Sequence, residues 1–201
     1  MPAIGITGGV GTGKSSFLHA LLRRFPAESF DADRCVHELL DGDPAVQERI
    51  KERFGAEVVA TDGSLNRQAL REIVFHDDRA RRTLEEIIHP EVHRRWQPLA
   101  EASRGTPSAL LYLDIPLLYE TGSEAQCDRV VVIACSAETQ RNRLSLNRGL
   151  APELIQRMIG AQLDLTAKVS RAEHVVWNDG SPSALDEQAR LFAAHLRDFY
   201  G

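Results

Sequence analysis

Residues 3–24 constrain this chain more than any other stretch. Ala3-Ile4-Gly5-Ile6-Thr7 is a short apolar run of strand type, and Gly8-Gly9-Val10-Gly11-Thr12-Gly13-Lys14-Ser15 follows it directly. Ser16 to Arg24 then carries Phe17, Leu18, Leu21 and Leu22 at helical spacing. Strand, glycine-rich loop and helix occur in the order that G-x-x-x-x-G-K-[ST] requires, with Gly8, Gly13, Lys14 and Ser15 at its fixed positions. Phosphate oxygens must be met by several inward-pointing backbone N–H groups, and glycines permit the tight turn and the close approach. The following helix offers its unpaired N–H groups and the positive end of its dipole to the same anion. Lys14 adds a mobile charge for the β- and γ-phosphates, and the Ser15 hydroxyl is a ligand for Mg²⁺. The nucleotide-binding candidates are Gly9, Val10, Gly11, Thr12, Gly13, Lys14, Ser15 and Ser16.

The motif implies a bound nucleoside triphosphate but does not by itself separate kinase, GTPase and mechanical ATPase. The dinucleotide fingerprint G-x-G-x-x-G fails, because counting from Gly9 and Gly11 puts Lys14 where the third glycine belongs. No Asn-Lys-x-Asp segment for reading guanine is present, and 201 residues leave little room for a motor. A small-molecule kinase is the leading class.

Composition narrows the partners. With 24 Lys+Arg against 29 Asp+Glu the net charge is −5, so nucleic acid is not expected to bind through net attraction. The apolar runs Ala109–Leu113 and Val130–Cys135 are far shorter than the roughly 20 residues of a membrane-spanning helix, and the first residues lack a secretory pattern. Cys35, Cys127 and Cys135 are odd in number, with no Cys-x-x-Cys pair, and are expected to be reduced thiols in a cytoplasmic protein.

Strand and helix patterns alternate along the chain, which predicts an α/β fold with a mostly parallel sheet between helices. Strands are expected at Glu28–Asp31, at Ala109–Leu113 ending in Asp114, at Arg129–Ala134 and at Glu173–Trp177. Helices are expected from Asp33, over Ala45–Phe54, Leu65–Phe75 and Arg79–Ala102 (interrupted or kinked at Pro90 and Pro98), and over Ala137–Leu146, Pro152–Leu163 and Ser183–Phe199. The stretch between the second and third strands is thus mainly helical.

Several further motifs occur in order: Asp31-Ala32-Asp33, His89-Pro90, Pro116-Leu117-Leu118-Tyr119-Glu120, Glu138-Thr139-Gln140 with Arg143, Ala161-Gln162, and Asn178-Asp179-Gly180-Ser181. With the glycine loop, this set resembles the dephospho-CoA kinase family nearly end to end. The resemblance implies a single P-loop kinase domain over 1–201 with a five-stranded parallel sheet flanked by helices. Its core would be 1–33 and 105–201, with a helical acceptor-binding insertion at about 34–104 and a lid at about 138–170. It implies ATP as donor, Mg²⁺ as cofactor and dephospho-CoA as acceptor, phosphorylated on its ribose 3′-hydroxyl. Oligomeric state is left open. The alternatives are a P-loop kinase for a nucleoside, nucleotide or polyol, and an ATP-binding regulatory module.

The resemblance makes Asp33 the catalytic carboxylate. Its place, about twenty residues after the loop at a strand end, faces the ligand crevice of an open sheet, although an Asp opening a helix also reads as an N-cap. Asp31 would support the loop or bind metal-bound water. His89 is assigned to acceptor positioning, and Arg94 and Arg95 could meet a pyrophosphate or be solvated. Leu117, Leu118 and Tyr119 would wall the acceptor, with Glu120 capping or pairing. Asp114 is a candidate for the Mg²⁺ shell with Ser15. Arg143 matches the lid arginine that neutralises the migrating phosphoryl group, with Arg141 and Arg148 nearby. Asn147-Arg148-Gly149 departs from the family's later Arg-Asp or Arg-Asn pair, so either Arg148 takes over from a position one residue later or the contact is missing. Asn178 would stand in a turn beside the adenine.

Overall fold

The computed structural model describes residues 2–105 and 110–200. In chain order the elements are β1 (Ala3–Gly8), α1 (Lys14–Leu22), β2 (Glu28–Asp31), α2 (Ala32–Gly42), α3 (Pro44–Phe54), α4 (Arg67–His76), α5 (Asp78–Gly105), β3 (Leu111–Asp114), β4 (Arg129–Ala134), α6 (Ala137–Arg148), α7 (Pro152–Gly160), α8 (Leu165–Arg171), β5 (His174–Trp177) and α9 (Pro182–Tyr200). The chain divides into two compact units, Met1–Phe30 with Leu99–Gly201, and Asp31–Pro98. Among the described residues no helix is long and apolar enough to cross a membrane.

The first unit is built on a five-stranded sheet in the order β2-β3-β1-β4-β5. β1 pairs parallel with β3 and β4, and β4 pairs parallel with β5. β1 is central, and all six of its residues are buried. Helices cover both faces of such a sheet, so its inner strands read as continuous apolar runs. The core joins Ile4, Ile6, Tyr112, Val131, Ile133 and Val176 of the sheet to Phe17 and Leu21 of α1 and to Ala189, Phe192 and Leu196 of α9. Phe17 and Phe192 meet with ring centroids 6.0 Å apart. Because β1 is central, the loop at its C-terminal end opens on the edge of a parallel sheet where ligands bind.

The second unit is helical. Side chains cap its helices: Asp31 accepts from Arg34 N (3.0 Å), Asp43 from Ala45 N (3.1 Å), and Asn66 from Ala69 N (3.1 Å). Each cap satisfies an N–H group that the helix leaves unpaired. Leu39, Val46, Ile50, Val58, Leu70, Ile88 and Trp96 are buried.

Several boundaries differ from the sequence reading. Ala109, where the third strand was expected to begin, lies outside the described residues. Leu65 forms an antiparallel bridge with Val59 and is not helical. α5 continues through Pro90 and Pro98 as one helix. A proline costs one helical hydrogen bond, and burial of Ile87, Ile88, Val92 and Trp96 on both sides of Pro90 keeps the halves aligned. α7 stops at Gly160, and the unforeseen α8 starts afresh because Asp164 caps it, accepting from Thr166 N at 2.8 Å.

Candidate active site

Within the first unit the glycine loop joins β1 to α1. α1 has no side-chain cap at its N-terminus and no acidic residue in its first turn, so its N–H groups remain available to an anion. Gly13 adopts φ 94°. A side chain there would be strained by the backbone and would also collide with the Asn178 amide. Gly8 passes so near the Ile133 carbonyl that no Cβ fits.

Four side chains from distant elements hold the loop. Gln140 Nε2 donates to the Val10 carbonyl (2.6 Å), and Val10 N donates to Gln162 Oε1 (2.8 Å). Arg143 Nη1 and Asn178 Nδ2 both donate to the Thr12 carbonyl, at 3.2 and 2.8 Å. Inside the loop, Thr12 Oγ1 donates to the Gly9 carbonyl (2.8 Å). Ser15 and Ser16 are exposed at the start of α1, and Thr12 is fully buried. Gly9, Val10, Gly11 and Gly13 are half-buried.

Lys14 ion-pairs with Asp114 at the end of β3. Both side chains are largely buried, 14% and 7% exposed, so the pair is shielded from solvent screening. Ser15 and Asp114 offer a hydroxyl and a carboxylate oxygen, hard donors suited to Mg²⁺. Among the described residues no group of three or more His, Cys, Asp or Glu could cage a metal.

The Asn178 side chain has a structural contact. Asn178 is buried, and its amide nitrogen is spent on the loop carbonyl. The neighbouring Asp179 accepts from Ser136 N (2.9 Å), Ser136 Oγ (3.1 Å) and Trp177 Nε1 (2.9 Å). The Ser136 backbone bond, with side-chain bonds from Thr139, Trp177 and Ser136, lowers its carboxyl pKa to about 2. Ser136 is the N-cap of α6, so Asp179 ties the start of α6 to the end of β5.

The expected acceptor wall divides. Leu117 is half-buried, whereas Leu118 is wholly buried and packs over Gly5, as core. Tyr119 is 7% exposed, its hydroxyl has no hydrogen-bond partner among the described residues, and the Arg171 guanidinium lies 4.4 Å over its ring. Burial, chiefly, raises the Tyr119 hydroxyl pKa to about 12. Arg141 and Arg148 are exposed on α6, with Arg148 in its last turn.

In the second unit, Asp31 is the N-cap of α2, which leaves Asp33 exposed in the first turn with a carboxylate not needed for capping. His89 is half-buried on α5, and burial lowers its ring pKa against the opposing pull of Glu85. Arg94 pairs with Glu91 and Arg95 with Asp43. Burial pushes the Glu91 carboxyl up, but hydrogen bonds from Arg94 and Arg49 outweigh it and hold it below its ordinary value.

Sequence reasoning assigned no role to Gln140, Gln162 and Lys168. Gln140 and Arg143 are three apart, so the side of α6 that reaches the loop could have been read from helical spacing. Gln162 stood in the Ala161-Gln162 motif without a role attached, and Lys168 carried no comparable signal.

A glycine loop of this form, on the central strand of a parallel sheet and with its lysine on a strand-end aspartate, defines a P-loop nucleotide-binding protein. The family model for dephospho-CoA kinase (CoaE) matches residues 2–184, and the chain belongs to that family. It is 45% identical over 184 residues to the dephospho-CoA kinase of Symbiobacterium thermophilum, covering 90% of this chain and 75% of that one. It is 44% identical over 200 residues to that of Anaeromyxobacter dehalogenans, covering 98% and 93%. Among solved structures, a Thermus thermophilus protein superposes with a TM-score of 0.76 at 31% identity, covering 100% of this chain and 98% of that one.

Proposed function

We infer that the chain transfers the γ-phosphoryl group of ATP to the ribose 3′-hydroxyl of dephospho-CoA, giving coenzyme A. The observation that carries this reading is the phosphate loop with its Lys14–Asp114 pair, in a chain matched to the dephospho-CoA kinase family over residues 2–184. The N–H groups of Gly11 and of Gly13 to Ser16 bind the phosphates, while Val10 N stays on Gln162. Lys14 leaves Asp114 to neutralise the β- and γ-oxygens. Asp33 accepts the proton of the attacking hydroxyl, for which an exposed carboxylate free of capping duty is suited. Arg143, already beside the loop at Thr12, offsets the charge that spreads over the migrating group. Ser15 and Asp114 are the residues that would hold Mg²⁺, which supplies charge neutralisation to the phosphate oxygens when bound. His89, with Leu117 and Tyr119, serves the acceptor.

Leu118 contributes through the core beneath the Pro116–Glu120 segment, and Asn178 through the shape of the loop. The free thiols Cys35, Cys127 and Cys135 suit a reducing compartment, and we place the protein in the cytoplasm.

The test is a transfer assay with ATP, Mg²⁺ and dephospho-CoA, read by mass spectrometry and ³¹P NMR. Stoichiometric ADP and a new 3′-phosphomonoester are expected. ATP binding without transfer to dephospho-CoA, but with transfer to a nucleoside or polyol, would overturn the acceptor assignment.

A further inference from the structure

Lys168 of α8 is fully buried. An ammonium removed from water is costly unless its donors are met, and an apolar chain of similar size is often as stable or more so. Stability alone therefore does not account for a lysine here. Its Nζ donates to the Pro116 carbonyl (3.0 Å) and to Glu120 Oε1 (2.8 Å). The Pro116 carbonyl also accepts from Thr7 Oγ1 (3.0 Å), in the residue just before the glycine loop. Glu120 Oε1 also accepts from Leu163 N (2.8 Å). Leu163 follows Gln162, whose side chain holds Val10 of the loop.

One buried cation thus grips both ends of Pro116–Glu120. That stretch begins two residues after Asp114, the partner of Lys14. It carries Leu117, Leu118 and Tyr119. Arg171, on the same short helix, covers the Tyr119 ring. α8 therefore holds the stretch at three points: a carbonyl, a carboxylate and an aromatic face. Through Thr7 and through Leu163–Gln162, the same contacts lead to the two ends of the phosphate loop's first half.

The geometry points to Lys168 as a positioning residue for the phosphoryl acceptor, fixing the main chain of Pro116–Glu120 relative to the phosphate loop. This rests on the function proposed above. Lys168 touches no reacting atom. Its part is to keep Leu117 and Tyr119 where they meet the acceptor, so that displacing them weakens acceptor binding more than ATP binding.

The experiment is steady-state kinetics with ATP and dephospho-CoA varied separately, plus calorimetric ATP binding and thermal melting, on wild type and Lys168→Met. The expected result is a KM for dephospho-CoA raised roughly ten- to hundredfold, with ATP affinity near wild type. An unchanged acceptor KM in the folded variant, whatever its melting temperature, would overturn the inference. Equal weakening of both substrates would also overturn it, because a general loss of structure does not discriminate between them. Should Lys168→Met fail to fold, Glu120→Leu removes one grip and leaves the other. A smaller but selective rise in acceptor KM is then expected, and no rise in that folded variant overturns the proposal. Wild-type protein that binds ATP but does not phosphorylate dephospho-CoA would fail the functional reading itself, before any variant is compared, and this inference with it.

Discussion

Arg143 of α6 and Asn178 at the end of β5 donate to the same oxygen, the carbonyl of Thr12. Two elements far apart in the chain thereby close on one peptide of the phosphate loop. The loop conformation is held from outside, and its inner N–H groups are left for phosphate. Asn178 also fills the space that a Cβ on Gly13 would enter.

Asn178→Ala removes a buried donor from the Thr12 carbonyl and opens a gap beside Gly13. ATP binding should weaken by about tenfold, the equivalent of roughly 1.4 kcal/mol. Gly13→Ala should be worse, because the positive φ strains any side chain there even when Asn178 is also cut back to alanine. Calorimetric titration of ATP into Asn178→Ala, Gly13→Ala and the double variant checks this. Full recovery of binding in the double variant would show the clash alone to be responsible.

Lys14→Ala should lower kcat/KM by about a hundredfold or more, since a preorganised charge on the transferring phosphates is removed. Asp114→Asn should raise the Mg²⁺ concentration needed for half-maximal transfer. Chelation with EDTA should abolish transfer in wild type and leave the melting temperature unchanged, because Mg²⁺ held by one or two side-chain oxygens and substrate phosphates is bound with the substrate and adds nothing to the fold without it. A fall in melting temperature on chelation would contradict this.

Asp33→Asn should keep ATP binding and lower turnover by roughly two to four decades, the size of a general-base contribution. Because Asp31 is the N-cap of α2, the variant should melt near wild type. Asp31→Ala should show the reverse pattern, with a lowered melting temperature from the lost cap. Paired melting and single-turnover measurements separate the two. Near-normal turnover in Asp33→Asn removes Asp33 from the chemistry.

The Asp179 carboxyl titrates at about 2 in the folded protein, below its ordinary 3.8. A depressed carboxyl stabilises the fold above its unfolded pKa, and the contribution is lost as pH falls toward the folded one. Asp179→Asn should therefore melt lower than wild type at neutral pH. The gap should narrow as pH falls from about 4 toward 2. Melting curves of both proteins across that range provide the check, and a gap independent of pH would rule out the charged bonds to Ser136 and Trp177 as its source.

The glycine loop was readable from the chain because its residues are consecutive and each answers a local steric or charge demand. β4 was readable to the residue, as a continuous apolar run on an inner strand. The cap of α2 was harder, because Asp31 and Asp33 stand two apart and either could open the helix. The backbone decided for Asp31, whose side chain reaches Arg34 N. Leu118 and Leu117 look alike in sequence, yet Leu118 is wholly buried against Gly5 and Leu117 is half-buried. Lys168 gives no sign of its role in sequence, since its carbonyl partner is 52 residues away.

The sequence by itself determined most of the elements, the phosphate loop and its lysine, because helical period, strand patterning and glycine backbone freedom act over a few neighbouring residues. Only the tertiary structure decided which side chains surround that loop. Gln140, Arg143, Gln162 and Asn178 come to it across 130 to 166 residues. The physical reason is that a loop's carbonyl and N–H groups must find partners wherever packing brings them, and packing depends on how all the strands and helices stack.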